Sequence, residues 1–447
     1  MVEEISLTSR PRLSRCQWDE ESWCAQTIAC TMAQEGYYFS ETSWDVVQSE
    51  KDMTSMDRDF FARARDLRAG MVACRRDLHR HPELGFQEER TAAMVARELT
   101  TLGLQVRTQV GRTGVVGVLE GPAPGPTLMV RFDMDALPIA EAGNAEYASQ
   151  VPGVMHACGH DGHTAVGLAV ARMFSELRSQ LAGRIKFVFQ PAEEMMVGAL
   201  AMIADGVLEN PVPERVLGFH LINDKPVGWV AAPTGPMMAA GGRLDITLHG
   251  RGAHGALAHQ GKDPIVAAAH IVSALQTVVS RNVNALDSAV VSITSIHGGE
   301  AFNIIPGVVR LQGTIRALKP DIYEAISRRT EEIVCGLAEV MECKATVEQA
   351  LLSPAVINDA ETSSVVRAQA RELPIVKEVV EEERVMASED VSHFLSRVPG
   401  CFFFVGSVNI ERHLNYPHHH PNFDFDEDAL VLAAALMAKS VAHYLLP

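Results

Sequence analysis

A chain of 447 residues is too long for one ordinary core and calls for two or three domains. Its 47% hydrophobic and 21% charged residues fit a soluble globular protein, and a formal net charge of −17 argues against nucleic acid or an anionic membrane surface as a partner. No apolar run reaches the roughly 18 residues of a membrane span. The start, Met1-Val2-Glu3-Glu4, has neither the basic nor the apolar region of a secretory signal. The eight cysteines, Cys16 to Cys401, show no paired spacing, so they read as free thiols in a cytoplasmic protein, with one open to metal ligation.

Residues 1–56 hold Trp18, Trp23 and Trp44 but no sustained period, and they read as an N-terminal extension without chemistry. From Arg58 to Leu102 the pattern is helical, with a loop predicted over Arg76–Phe86 from Pro82 and Gly85. Strands are predicted at Gly114–Leu119 and Thr127–Phe132, the second feeding into Asp133-Met134-Asp135. Carboxylates just past the end of a buried strand lie where open α/β sheets place ligands.

Next comes Met155-His156-Ala157-Cys158-Gly159-His160-Asp161-Gly162-His163, followed by apolar residues at helical spacing (Val166, Val170, Met173, Phe174, Leu177, Leu181). That order predicts an amphipathic helix with the cluster on the loop before it. Cys158 and His160 can face one metal if the backbone between them turns, although a lone Cys-x-His is a weak signal. Strands at Arg184–Phe189 and Arg215–Phe219 are predicted to end in Glu193-Glu194 and in His220. Adjacent carboxylates at a strand end are costly unless a cation neutralises them.

Composition changes near Ala239-Ala240-Gly241-Gly242. A strand (Arg243–Leu248), a turn with His254 and a helix from Asp263-Pro264 to Val283 follow, with Asp263 as the N-cap. Strands at Ala289–Ile296 and Val308–Ala317, a helix over Asp321–Val340 and a short strand at Lys344–Glu348 complete a β-α-β-β-α-β unit. This is the ferredoxin-like order, inserted into the first domain. The expected division is thus 57–239 and 351–447 for an α/β catalytic domain with a mixed sheet, and 240–350 for the insert. After Leu351 come a helix beyond Glu361, a helix opened by Ser388-Glu389-Asp390, a strand at Cys401–Val405, the tract His418-His419-His420 before Pro421, and a last helix over Asp428–Leu446.

One thiolate, several imidazoles and two carboxylates suit Zn²⁺ or Mn²⁺. Five such groups exceed one tetrahedral zinc and fit two metals roughly 3.5–4 Å apart, the arrangement of hydrolytic binuclear sites. The motifs Arg76-Asp77-Leu78-His79, Asp133-Met134-Asp135-Ala136-Leu137-Pro138, the Cys158 block, Gln190-Pro191-Ala192-Glu193-Glu194, Gly252-Ala253-His254-Gly255, Phe302-Asn303-Ile304-Ile305-Pro306, Gly313-Thr314-Ile315-Arg316 and His419-x-Pro421 resemble the aminoacylase and glutamate-carboxypeptidase family of metallopeptidases. Within it the chain is most similar to the amidohydrolase branch of hippurate, N-acyl-amino-acid and indole-acetyl-amino-acid hydrolases.

The resemblance covers residues 57–447 and implies a binuclear centre. Cys158, His160, Glu194, His220 and His419 match the ligands, and Glu193 matches the general base. His254 matches a histidine reaching the partner subunit's site in a homodimer formed through the insert, with higher oligomers allowed. Asn303 and Arg316 match substrate-holding positions, and Asp135 and Glu389 match supporting acids. Phe132, Gly242 and Ala258 depart from the family pattern without removing a ligand. The activity implied is hydrolysis of the amide bond of N-acyl amino acids. The alternatives are cleavage of small peptides, a Cys158 nucleophile with a histidine base, and a metal-binding homologue without turnover.

Overall fold

The computed structural model describes residues 59–446. The extension expected over residues 1–56 lies outside the described residues. The described chain opens with α1 (Phe60–Asp66), α2 (Arg68–Arg80) and α3 (Glu89–Thr101). The side chain of Asp59 caps α1 by accepting from the backbone of Phe61 and Ala62. The loop predicted from Arg76 begins only at His81. Pro82 disfavours helical geometry in the residue just before it, so the preceding turn stays helical.

The chain then runs through β1 (Gln105–Val110), β2 (Gly114–Glu120), β3 (Ala123–Asp133), α4 (His160–Glu176), β4 (Ala182–Gln190), α5 (Gly198–Ala204), β5 (Arg215–Pro226), β6 (Trp229–Ala231) and β7 (Gly235–Met238). It next leaves this body for β8 (Ala240–His249), β9 (Ala253–His254), α6 (Pro264–Asn282), β10 (Ala289–His297), β11 (Ile304–Ile305), β12 (Val308–Ala317), α7 (Pro320–Val340) and β13 (Lys344–Ser353). It returns with β14 (Val356–Asn358), α8 (Ala360–Arg371), β15 (Glu378–Val380), α9 (Ser392–Leu395), β16 (Gly400–Val408) and α10 (Asp428–Leu445).

The first body is built on an eight-stranded mixed sheet in the order β1-β2-β4-β3-β5-β16-β6-β15. Its centre, β4-β3-β5-β16, is parallel, and those strands are almost wholly buried, as expected where helices cover both faces of a parallel sheet. Strands β1, β6 and β15 escape the sequence reading; the last two have only three residues each, too short for a period to register. The helix read as amphipathic, α4, is buried from His160 to Phe174 apart from Arg172, because α2 and α10 also pack against it. Both α6 and α10 are long and apolar enough to cross a bilayer, although the sequence shows no unbroken apolar run. α10 lies mostly inside the core, and α6 buries Ile271, Leu275 and Val278 against the second sheet.

That second sheet is antiparallel, in the order β10-β12-β8-β13. In chain order this is 2-3-1-4, the ferredoxin-like arrangement, with α6 and α7 packed on it. Asp263 caps α6 as expected, accepting from Ile265 and Val266. The strand predicted to end at Glu348 continues to Ser353, since its whole length pairs with β8.

A buried ion cluster ties α2, α4 and the segment before α10 together. Arg75, wholly buried, donates to Asp161 (3.0 Å), Asp424 (2.7 Å) and Glu427 (3.3 Å) and lies between the rings of Tyr147 and Phe425. Burial alone would raise Asp161, but the Arg75 charge and the His79 hydrogen bond outweigh it and hold the carboxylate well below its usual range. Removing the cation strands these acids in a low-dielectric interior. Arg75→Met should therefore cost about 3–5 kcal/mol in a denaturant titration; a loss under about 1 kcal/mol would show that the cluster does not hold these elements together.

Candidate active site

The carboxyl edge of the parallel strands gathers the site. β3 ends in Asp133 and leads to Asp135, β4 leads to Glu193 and Glu194, and β5 carries His220. His220 was expected at the end of its strand, but β5 runs on to Pro226 because β16 pairs alongside it that far. His160 is likewise the first residue of α4, and not part of a preceding loop. Gly159, between Cys158 and His160, has φ +88°, a conformation glycine adopts without a Cβ clash. Gly198 closes the Glu193–Glu194 loop: a Cβ there would lie 1.6 Å from the carbonyl oxygen of Pro191. The loop is also held by the backbone of Ala192 donating to Glu88 (2.9 Å) and that of Glu194 donating to Asp135 (3.0 Å).

Around this edge the metal-competent atoms converge. Cys158, His160 and His220 form one set whose ligand atoms lie within 4.8 Å of one another; Cys158, Glu194 and His419 form another, and His160, Glu193 and Glu194 a third. Cys158 is common to the first two, with its Sγ 3.4 Å from His220 Nε2. Within the triple histidine the geometry separates the three rings. His418 Nε2 accepts from the backbone of Asn223, and His420 stacks on Tyr416 while its Nδ1 accepts from Asn422. His419 alone turns to the acids, its Nε2 3.4 Å from Glu194 Oε1, on a backbone at φ +65° pinned by a hydrogen bond to Ala157.

The tautomers follow from the partners. His160 Nδ1 donates to the Asp135 carbonyl (2.9 Å) and His220 Nδ1 to the Leu221 carbonyl (2.6 Å), which turns both Nε2 atoms toward the cluster, where each offers a lone pair when unprotonated. His160 Nε2 and Glu194 Oε1 are buried without a hydrogen-bond partner. Buried polar atoms without partners call for a ligand, and a soft thiolate with imidazoles and a carboxylate is a donor set for a divalent ion. His163 is different. Its Nε2 accepts from the backbone of Leu221 and its Nδ1 donates to Asp133 (2.6 Å), so both nitrogens are spent within the protein.

Electrostatics point the same way. Burial would lower His160, yet the charge of Asp133, the hydrogen bond and charge of Asp135, and the charge of Glu194 lift it to about 10. The pocket therefore favours positive charge. Burial, then Glu389, Glu194, Asp390 and Asp135, push Glu193 well above the usual carboxylate range; burial, then Glu194, Glu193 and Asp133, raise the Cys158 thiol likewise. A solvated glutamate pair is ruled out, since Glu193 is only 4% exposed. A self-activated Cys158 nucleophile is disfavoured too, because burial and the surrounding carboxylates keep the thiol protonated unless a cation is present.

Beneath Glu193 lies a group the sequence reading missed. Arg131, wholly buried in β3, donates to Gln190 (2.8 Å), Asp133 (2.7 Å), Glu389 (2.9 Å) and Asp390 (3.2 Å). Only the apolar context of its strand could have flagged it. Asp135 and Glu389, read as supporting acids, take that place: one orients His160, the other binds Arg131. Arg316 reaches the cleft from β12, and a cavity of about 320 Å³ is lined by it together with Met196, Met386, Ser388 and His419. The structure does not bring His254 and Asn303 to the cluster. Both are exposed on the insert, neighbours through the Gly255 N–H to Asn303 carbonyl bond, and His254 joins no ligand set among the described residues.

The family model described as "Peptidase family M20/M25/M40" matches residues 129–443. The chain belongs to this family. Among its relatives is N-acetyl-L-cysteine deacetylase of Bacillus subtilis, 37% identical over 375 residues, 84% of this chain and 88% of the relative. Another is IAA-amino acid hydrolase ILR1-like 5 of Arabidopsis thaliana, 36% identical over 404 residues, 89% of this chain and 92% of the relative. Among solved structures, a dinuclear metal binding peptidase of the family from Bacillus subtilis superposes with a TM-score of 0.75 at 32% identity, over 85% of this chain and 98% of its own.

Because His160 and Cys158 both carry protons in the metal-free protein at neutral pH, binding a metal must expel them. Titrating Zn²⁺ into the metal-free protein at pH 7.5, in buffers of different ionisation enthalpy, should release about two protons from the ligands, and about one more wherever the bound charge also ionises Glu193, with affinity rising as pH rises. Binding without proton release would contradict the ligand assignment.

Proposed function

We propose that this protein is a metal-dependent amidohydrolase that splits N-acyl amino acids into a carboxylic acid and an amino acid. The observation that carries the reading is the convergence of Cys158, His160, Glu194, His220 and His419, with His160 Nε2 and Glu194 Oε1 buried without hydrogen-bond partners, beside the buried carboxyl of Glu193. The five would hold two divalent ions, Mn²⁺ or Zn²⁺, which supply positive charge to polarise a carbonyl and make water acidic. A divalent charge also draws Glu193 back toward ionisation, since its high pKa arises from burial and neighbouring carboxylates.

Glu193 then takes a proton from the attacking water and returns one to the leaving amine. Arg316 offers a forked guanidinium to the substrate's carboxylate, and Asn303 helps to hold the substrate. His254 completes the site of the partner subunit in a homodimer and stabilises the developing oxyanion. Its surroundings favour a covered surface: Phe302 is fully exposed, Ile304, the strand-register partner of His254, is exposed, and so are Leu257, Ile265 and Val266 further along the chain from His254. Cleavage of small peptides is the second reading, favoured by the solved relative described as a peptidase.

Two measurements test the reading together. A release assay should find N-acetyl, N-benzoyl, long-chain acyl or indole-acetyl amino acids turned over faster than dipeptides, with loss on chelation and return on adding Mn²⁺ or Zn²⁺. Glu193→Gln should keep its metal and lose about 10²–10⁴-fold in kcat, and His254→Ala should also be nearly inactive. Refolded together, they should regain about a quarter of wild-type activity, because half the random dimers are mixed and each has one intact site. No recovery with mixed dimers confirmed by mass would place His254 in its own subunit's chemistry; faster dipeptide turnover would favour the second reading.

A further inference from the structure

The arginine that reaches the cleft from the insert does not stand free. Arg316 Nη1 donates to Ser388 Oγ (2.8 Å) and to the Met386 carbonyl (3.1 Å), both on the segment just before α9 in the first body. Two acceptors fully occupy the two hydrogens of that nitrogen. Its Nε and Nη2 have no protein partner among the described residues, and Arg316 lines the same cavity as His419. The Nε hydrogen and the Nη2 hydrogen beside it form the edge of the guanidinium that matches a carboxylate in bidentate fashion.

Ser388 is held in place from two sides. On one, a Cβ built on Gly241 would fall 2.4 Å from Ser388 Oγ and 3.0 Å from its Cβ, so the hydroxyl fits only because residue 241 is glycine. Gly241 is also the register partner of Arg316 across the β8–β12 pair, which places the arginine and the room for its acceptor at one level of the sheet. On the other side, Ser388 is followed directly by Glu389 and Asp390, whose carboxylates grip the buried Arg131 at 2.9 and 3.2 Å. The hydroxyl is therefore mounted on a rigid support beneath Glu193, while the arginine belongs to the insert.

We propose that Ser388 is a positioning residue: by occupying Arg316 Nη1, it presents the Nε–Nη2 edge of that arginine to the cleft, where the free carboxylate of an N-acyl amino acid docks. The inference deepens the proposed function and rests on its assignment of Arg316 as the carboxylate holder. A guanidinium on a long flexible stem gains most from being fixed in advance, because the entropy of ordering it is then not charged against binding.

The test uses the full chain loaded with metal and carrying Glu193→Gln, so that ligands bind without turnover. Calorimetry compares N-acetyl-L-methionine with its carboxamide, which differ in the terminal charge. The parent should prefer the acid about 10–100-fold, as expected for a hydrogen-bonded charge pair. Adding Arg316→Met should abolish that preference. Adding Ser388→Ala should reduce it about 5–10-fold while leaving the amide's affinity unchanged, and Ser388→Ala should be silent once Arg316→Met is present. A merely structural loosening would weaken acid and amide alike and would overturn the proposal, as would an unchanged preference in Ser388→Ala when Arg316→Met abolishes it. No acid preference in the parent, or one that survives Arg316→Met, would instead overturn the reading of Arg316 and the positioning role with it.

Discussion

The structure depends on buried negative charge concentrated at one edge of a parallel sheet. Asp133, Asp135, Glu193, Glu389 and Asp390 are all buried there, with Glu194 beside them, and Arg131 is the only arginine or lysine hydrogen-bonded to them among the described residues. Carboxylates in such surroundings either take up protons or acquire cations. The opposite shifts of Glu193, raised, and Asp133, lowered, express that competition between groups that flank the same histidine, His160. A divalent ion held by Cys158 and its neighbours would resolve it, and the same charge would favour the thiolate of Cys158 and the carboxylate of Glu193.

The two buried arginines divide the support between them. Arg75 fastens α2, the first turn of α4 and the segment leading into α10, so the Cys158–His160 turn is fixed from behind. Arg131 fixes the acids before α9 against β3 and β4, and so sets the ground beneath Glu193. Backbone carbonyls then choose the histidine tautomers, turning the Nε2 atoms of His160 and His220 inward. Rigid support of this kind lets a site hold geometry that loops alone would not.

The motif residues were legible because the chemistry of a metal site is local in type: thiol, imidazole and carboxylate at strand ends announce themselves. The ferredoxin-like insert was legible for another reason, since its half-exposed strands and capped α6 keep their periods. What the sequence hid depends on distant partners. Arg75 and Arg131 read as ordinary charged residues until Asp161, Glu427, Glu389 and Asp390 fold around them from far along the chain. α4 looked amphipathic because the helices that cover its other faces lie elsewhere in the sequence. The family pattern singles out His419 by its place two residues before Pro421, but the physical reason, one left-handed residue and the ring nitrogens of His418 and His420 that the backbone already occupies, is not something spacing reveals.

Anomalous diffraction from crystals of the Zn²⁺-loaded protein, collected on both sides of the zinc edge, tests the central claim most directly. Two peaks roughly 3.5–4 Å apart, at least one of them about 2.3 Å from Cys158 Sγ and both bounded by His160, Glu194, His220 and His419, are the result expected. An active protein whose crystals show no metal at this edge, or only one ion remote from Cys158, would contradict the account.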